Sequence, residues 1–117
     1  MKTGAQLLAE TKARVKQVTV QDVMDMQKRA EPITLLDVRD LHEVNLGKIP
    51  GALHVSRGNL ETKIEALVPR TAHVIIYCAS GNRSAFAAET MTHMGYSNVA
   101  SMAGGIRAWV EAGGDVE

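Results

Sequence analysis

Cys78 is the only cysteine in the 117-residue chain, and it stands where the apolar run His73-Val74-Ile75-Ile76-Tyr77 meets the polar stretch Ala79-Ser80-Gly81-Asn82-Arg83-Ser84. The pattern predicts a strand that ends in a tight loop, with a thiol at the join. A helical pattern, Ser84 to Met91, follows at once, so the loop amides and the first helical amides are expected to converge on the sulfur. Convergent N–H dipoles favour an anion. They lower a thiol's pKa and make the thiolate the resting nucleophile. A cysteine that only fills a core is expected inside the apolar run, whereas this one is followed by small and polar residues and an arginine.

The same residue types assign roles within the loop. Gly81 suits a position where the backbone takes positive φ or approaches closely. Arg83 aims a fixed positive charge at the bowl of amides and supports the thiolate. Ser80 and Ser84 carry hydroxyls able to donate to sulfur, with helix capping the expected use of Ser84. A single cysteine makes no internal disulfide and has no resolving partner in its own chain, so whatever Cys78 accepts is handed to another molecule.

Elements that position this loop are legible on either side. Ile33 to Val38, Leu53 to Val55 and Val74 to Cys78 are apolar runs without alternation, and Asn98 to Ser101 is a weaker fourth. Such runs are strands buried on both faces. Helical patterns at about Asn59 to Leu67, Ser84 to Met94 and Ile106 to Ala112 separate them, with Gly95 and Gly113 placed to end two of these helices. Alternation of strand and helix predicts an α/β fold, a parallel sheet of about four to five strands with helices on both faces. In such sheets ligands bind at the carboxyl ends of the strands, which is where Cys78 lies. Ahead of these elements, Ala5 to Gln17 reads as an amphipathic helix, and Thr19 with Asp22 as the cap of a short helix ended by Ala30-Glu31-Pro32. The expected organisation is an N-terminal helical extension over residues 1–18 and one domain over 19–117. Trp109 is expected as a core anchor, and the six methionines mostly as core filler.

Composition narrows the partners. Lys plus Arg and Asp plus Glu number 13 each, so no global field draws nucleic acid or an anionic membrane. No segment has the length of a membrane span or the core of a signal peptide, and the expectation is a soluble, cytoplasmic protein. One cysteine rules out a cysteine-based zinc cluster, and His42, His54, His73 and His93 lack ligand spacing, so no metal or other cofactor is expected.

Four motifs in order carry a family resemblance over about Thr19 to Gly113. They are Leu35-Leu36-Asp37-Val38-Arg39 with Glu43, Gly47-Lys48-Ile49-Pro50-Gly51-Ala52, the loop Tyr77-Cys78-Ala79-Ser80-Gly81-Asn82-Arg83-Ser84-Ala85, and Gly104-Gly105-Ile106-Arg107-Ala108-Trp109. Together they resemble the rhodanese-domain sulfurtransferases. Two departures are Lys48, where a histidine is usual, and Val44, where an aromatic is common. The resemblance implies a single rhodanese-like domain in which Cys78 takes sulfane sulfur from a donor such as thiosulfate and passes it, through a persulfide, to cyanide, a thiol or a dithiol protein of the thioredoxin-like kind. Ala79 to Ser84 form the substrate-binding loop, and Arg83 holds the sulfonate end of the donor. The six-residue count from Cys78 to Arg83 is similar to the sulfurtransferases; the related phosphatases and arsenate reductases have one residue more. A carrier or regulatory module serving one dedicated partner is the alternative. Asp37 and Arg39 are expected in support, Asp37 accepting amide hydrogen bonds and Arg39 pairing with Glu43. Arg57 is a further candidate at the rim.

Overall fold

The computed structural model describes all 117 residues, Met1 to Glu117. Five parallel strands form one sheet in the order β1-β5-β4-β2-β3: β1 (Gln17–Val18), β2 (Thr34–Asp37), β3 (Leu53–His54), β4 (Val74–Tyr77) and β5 (Val99–Met102). The helices are α1 (Gly4–Arg14), α2 (Val20–Lys28), α3 (Leu41–Val44), α4 (Leu60–Leu67), α5 (Asn82–His93) and α6 (Gly105–Glu111), with a 3-10 turn at Arg57–Asn59.

Burial explains the continuous apolar runs. Leu36, Val74 and Ile76 face a core with Leu60 and Ile64 of α4 and Met91 of α5, while Leu35, Ile75 and Tyr77 face a second with Val23 of α2 and Trp109 of α6. A strand covered on both faces has no polar side to show, so alternation is absent. Trp109 is the anchor expected, nearly fully buried and donating its indole N–H to Asp115 O at 2.8 Å. Among the methionines, Met91 and Met102 are fully buried and Met24, Met26 and Met94 pack at core edges.

One expectation shifts. The first helix ends at Arg14 rather than Gln17, because Val15 is already extended and Gln17 and Val18 form β1, paired with Ser101 and Met102 of β5. Helix α1 packs along α5, with Arg14 bridged to Glu89 at 2.7 Å and Lys12 donating to Asn82 Oδ1 at 3.0 Å, while Leu7 stays exposed. The cap of α2 is as expected: Asp22 N donates to Thr19 Oγ1 at 3.0 Å and Thr19 N to Asp22 Oδ2 at 2.8 Å. No helix is long and apolar enough to cross a membrane.

Candidate active site around Cys78

Strand β4 lies between β5 and β2, and its carboxyl end delivers Cys78 to the switch from strand to loop. Gly81 has φ 100° and is the N-terminal cap of α5, so the chain turns within three residues and aims the first turn of the helix back at the cysteine. A side chain there would be strained, and its Cβ would lie 3.0 Å from Gly104 N. The Gly81 amide then donates to Cys78 Sγ at 3.2 Å and the Ser84 amide at 3.4 Å.

A second glycine turn fixes the loop from behind. Ile106 N donates to Cys78 O at 2.9 Å and Arg107 N to Ala79 O at 3.1 Å, so these carbonyls are turned away from the sulfur onto the start of α6. Gly105 makes this possible: a Cβ on it would stand 2.4 Å from Cys78 O and 2.6 Å from Ala79 C, and its φ is 59°. The bowl holds donors only because the competing carbonyls are bound elsewhere.

Ser84 does not cap the helix. The helix begins at Asn82, which makes Ser84 its third residue, fully buried, with its Oγ 3.5 Å from Sγ and 2.8 Å from the Oγ of Ser101 on β5. Ser101 had no role in the sequence, yet its polar side chain inside the buried strand Val99-Ala100-Ser101-Met102 beside β4 was a signal. Burial pushes the Cys78 thiol up; the Ser84 hydroxyl and the amides of Ser84, Gly81 and Ser80 oppose it, and the balance lies below the ordinary cysteine value. At 1 % exposure the residue also belongs to the core, so packing and activation coincide in one side chain.

The arginines are arranged differently from the expectation. Arg39 binds Asp37, not the Glu43 carboxylate: Nη2 donates to Oδ2 at 2.8 Å and Nε to Oδ1 at 3.1 Å, and the Arg39 amide bonds Oδ1 at 3.0 Å. Both residues are buried, and Arg39 Nη2 also donates to Gly47 O at 2.7 Å, which ties the segment after α3 to β2. Asp37 faces Arg39 two residues along the same turn, so it wins the pairing. Glu43 is instead the partner of Arg83, at 2.7 and 2.9 Å. Arg57 pairs with Glu61 at 2.9 Å and donates to Thr90 Oγ1 at 3.1 Å. Asn82, at the first position of α5, is exposed and bound to Lys12. Asp40, His42 and Glu43 bring donor atoms within 4.8 Å of one another. Glu43 already accepts from Arg83 and from Asp40 N at 2.9 Å, which makes the grouping a poor cation cage.

A strand-end thiol in a bowl of amides on a five-stranded parallel sheet is accompanied by a match to the rhodanese-like domain over residues 19–112. The chain belongs to the rhodanese-like domain family. It is 35 % identical over 83 residues to a sulfurtransferase of Allochromatium vinosum, covering 71 % of this chain and 77 % of that protein. It is 28 % identical over 109 residues to a putative sulfur carrier protein of Bacillus subtilis, covering 93 % of this chain but only 58 % of the carrier. A solved structure from Rhodopseudomonas palustris, of a protein of unknown function described as a possible tyrosine phosphatase, superimposes with a TM-score of 0.87 at 34 % identity, covering 100 % of this chain and 96 % of that one.

Proposed function

We propose that the protein is a sulfurtransferase that moves sulfane sulfur by double displacement through Cys78. The observation that carries this is the pair of amides, Gly81 and Ser84, directed at Sγ. They stabilise a sulfur anion before and after it gains a second sulfur, without reorganising. The Cys78 thiolate attacks the outer sulfur of a donor such as thiosulfate and expels sulfite, and a second nucleophile takes the sulfur from the resulting persulfide. A thiol already ionised needs no general base, in keeping with a loop that contains no histidine. Arg83 serves the anionic end of the donor, the hydroxyl of Ser84 and the remaining loop amides serve the persulfide, and Asp37 with Arg39 holds the neighbouring turn.

The relatives named sulfurtransferase and putative sulfur carrier support this reading. The carrier variant of it, in which Cys78 passes sulfur only to a dedicated thiol protein, shares the same chemistry. Steady turnover of thiosulfate and cyanide to thiocyanate and sulfite is expected of the enzyme, while a carrier loads Cys78 and then stalls until its partner is added. Hydrolysis of a phosphate ester in place of sulfur uptake would refute both.

A further inference from the structure

Beside the reactive loop opens a groove of about 550 Å³, a volume in the ~300–1,000 Å³ range of small-molecule sites. It starts at Ala79, the residue after the nucleophile, and continues between Leu46 and the outer face of α6, where Val110 and Arg107 line it. Its apolar wall is uncovered: Leu46 is 88 % exposed, Val110 53 % and Val116 43 %.

The wall is built rather than incidental. Val116 is held by the chain's last residues, because Lys48 N donates to Glu117 O at 3.0 Å and Glu117 N to Lys48 O at 2.9 Å. The Lys48 ammonium adds an ion pair to Glu117 at 3.4 Å. A Cβ on Gly47 would lie 2.8 Å from Val116 Cγ1, so glycine there lets the tail close the groove.

Charge marks the end next to the loop. Arg39 and Arg83 are committed to Asp37 and Glu43, whereas the Arg107 guanidinium takes part in no ion pair although its own amide is bonded to Ala79 O. Glu111 stands one helical turn further from the loop.

We propose that this groove is the acceptor subsite and selects an organic thiol with an apolar body and a carboxylate close to its sulfur. The proposal rests on the sulfur-transfer reading. The apolar body covers Leu46, Val110 and Val116, and the carboxylate meets Arg107. The acceptor thiolate attacks the outer sulfur of the Cys78 persulfide. A bond forms between the acceptor sulfur and the sulfane sulfur, the bond from that sulfur to Cys78 Sγ breaks, and its electron pair stays on Sγ. The product is the acceptor's hydropersulfide, and Cys78 returns as thiolate, so no oxidant or reductant is consumed.

The test is single-turnover transfer from protein preloaded with thiosulfate and freed of excess donor. The acceptors are β-mercaptoethanol, β-mercaptopropionate and α-mercapto-β-phenylpropionate, each rate being divided by that thiol's rate with a small-molecule persulfide. The expected order places the phenyl acid about tenfold or more above mercaptoethanol, the size of effect from covering much of an aromatic ring. Val110→Asp should reduce the advantage of the phenyl acid over mercaptopropionate. Arg107→Ala should reduce that of mercaptopropionate over mercaptoethanol. Equal normalised rates in the loaded wild-type protein, or ratios unchanged in both exposed-site variants, overturn the subsite while leaving sulfur transfer standing. A protein that takes up no sulfur at all overturns the parent reading and the subsite with it.

Discussion

The Arg83 guanidinium and the Glu43 carboxylate form a two-point salt bridge, Nη1 to Oε2 at 2.7 Å and Nη2 to Oε1 at 2.9 Å, that clasps the first turn of α5 to α3 across 40 residues of sequence. Arg83's hydrogen bonds, opposed by partial burial and aided by the Asp40 amide, hold the Glu43 carboxyl down at about 2. The one cation within the Cys78 loop is therefore already balanced by a carboxylate, and under the proposed function an anionic donor competes with Glu43 for it.

Arg83→Ala should lower kcat/KM for thiosulfate about ten- to hundredfold, the range of one lost charge-assisted hydrogen bond. It removes the cation and also leaves Glu43 unpaired against the donor's charge. Glu43→Gln should lower the KM for thiosulfate several-fold, and the double variant should recover part of the loss in Arg83→Ala, a non-additivity expected of residues in contact. Donor kinetics on the three variants check this. An unchanged dependence on thiosulfate throughout would make the bridge a clasp and nothing more.

Ser84→Ala removes a hydroxyl that favours the thiolate, so the Cys78 pKa should rise. The folded protein's thiol titrates below ordinary cysteine, and iodoacetamide alkylation should level off at lower pH than the ~8.5 of a free cysteine. In Ser84→Ala the profile should move to higher pH and the rate at neutral pH fall several-fold. Ser101→Ala, which only loses the partner of that hydroxyl, should shift it less in the same direction. A wild-type profile that tracks free cysteine would mean the bowl does not activate the sulfur.

Asp37→Asn should destabilise the fold by about 3–5 kcal/mol, the usual cost of leaving one half of a buried ion pair without its partner. Asp37 is 0 % exposed and Arg39 5 %, so water cannot take over the lost charge. Urea unfolding should show a lower midpoint with an unchanged slope. A loss below about 1 kcal/mol, the scale of an exposed pair, would contradict the account.

Gly105→Ala should cost well over the ~1–2 kcal/mol of forcing a side chain into left-handed backbone, because its Cβ also strikes the Cys78 and Ala79 backbone. Gly51→Ala provides the comparison: its φ is also positive, at 83°, but nothing lies within 4 Å of the added carbon. The first variant should lose sulfur transfer and stability together, the second only a little stability. Equal effects on stability would show that contact with the loop does not matter.

The sequence was most informative where local pattern and burial agree. Apolar runs placed β2 to β5 within a residue or two: β2, β4 and β5 are largely buried and mostly apolar, and the short, half-buried β3 was marked by Leu53 and Val55. Strand β1 was hidden by its length of two residues and by the helix merging into it. Helix α3 left a visible trace in Asp40 and Glu43, spaced as a capping box, with Glu43 Oε2 accepting from the Asp40 amide. At the site, Cys78 and Gly81 were legible because a strand end and a left-handed turn are local properties. The role of Ser84 was not, since it depends on whether the helix starts at Asn82 or two residues later. Choosing Arg83 rather than Arg39 for Glu43 requires knowing which turns meet in space, and that information is tertiary.

The most direct test of Cys78 as the sulfur carrier is the intact mass of the purified, reduced protein before and after thiosulfate, with Cys78→Ser alongside. The predicted result is a gain of one sulfur atom on the wild-type chain, its loss on adding cyanide, and no gain in the serine variant. An unchanged wild-type mass after thiosulfate, or a sulfur retained by the serine variant, would contradict a persulfide on Cys78.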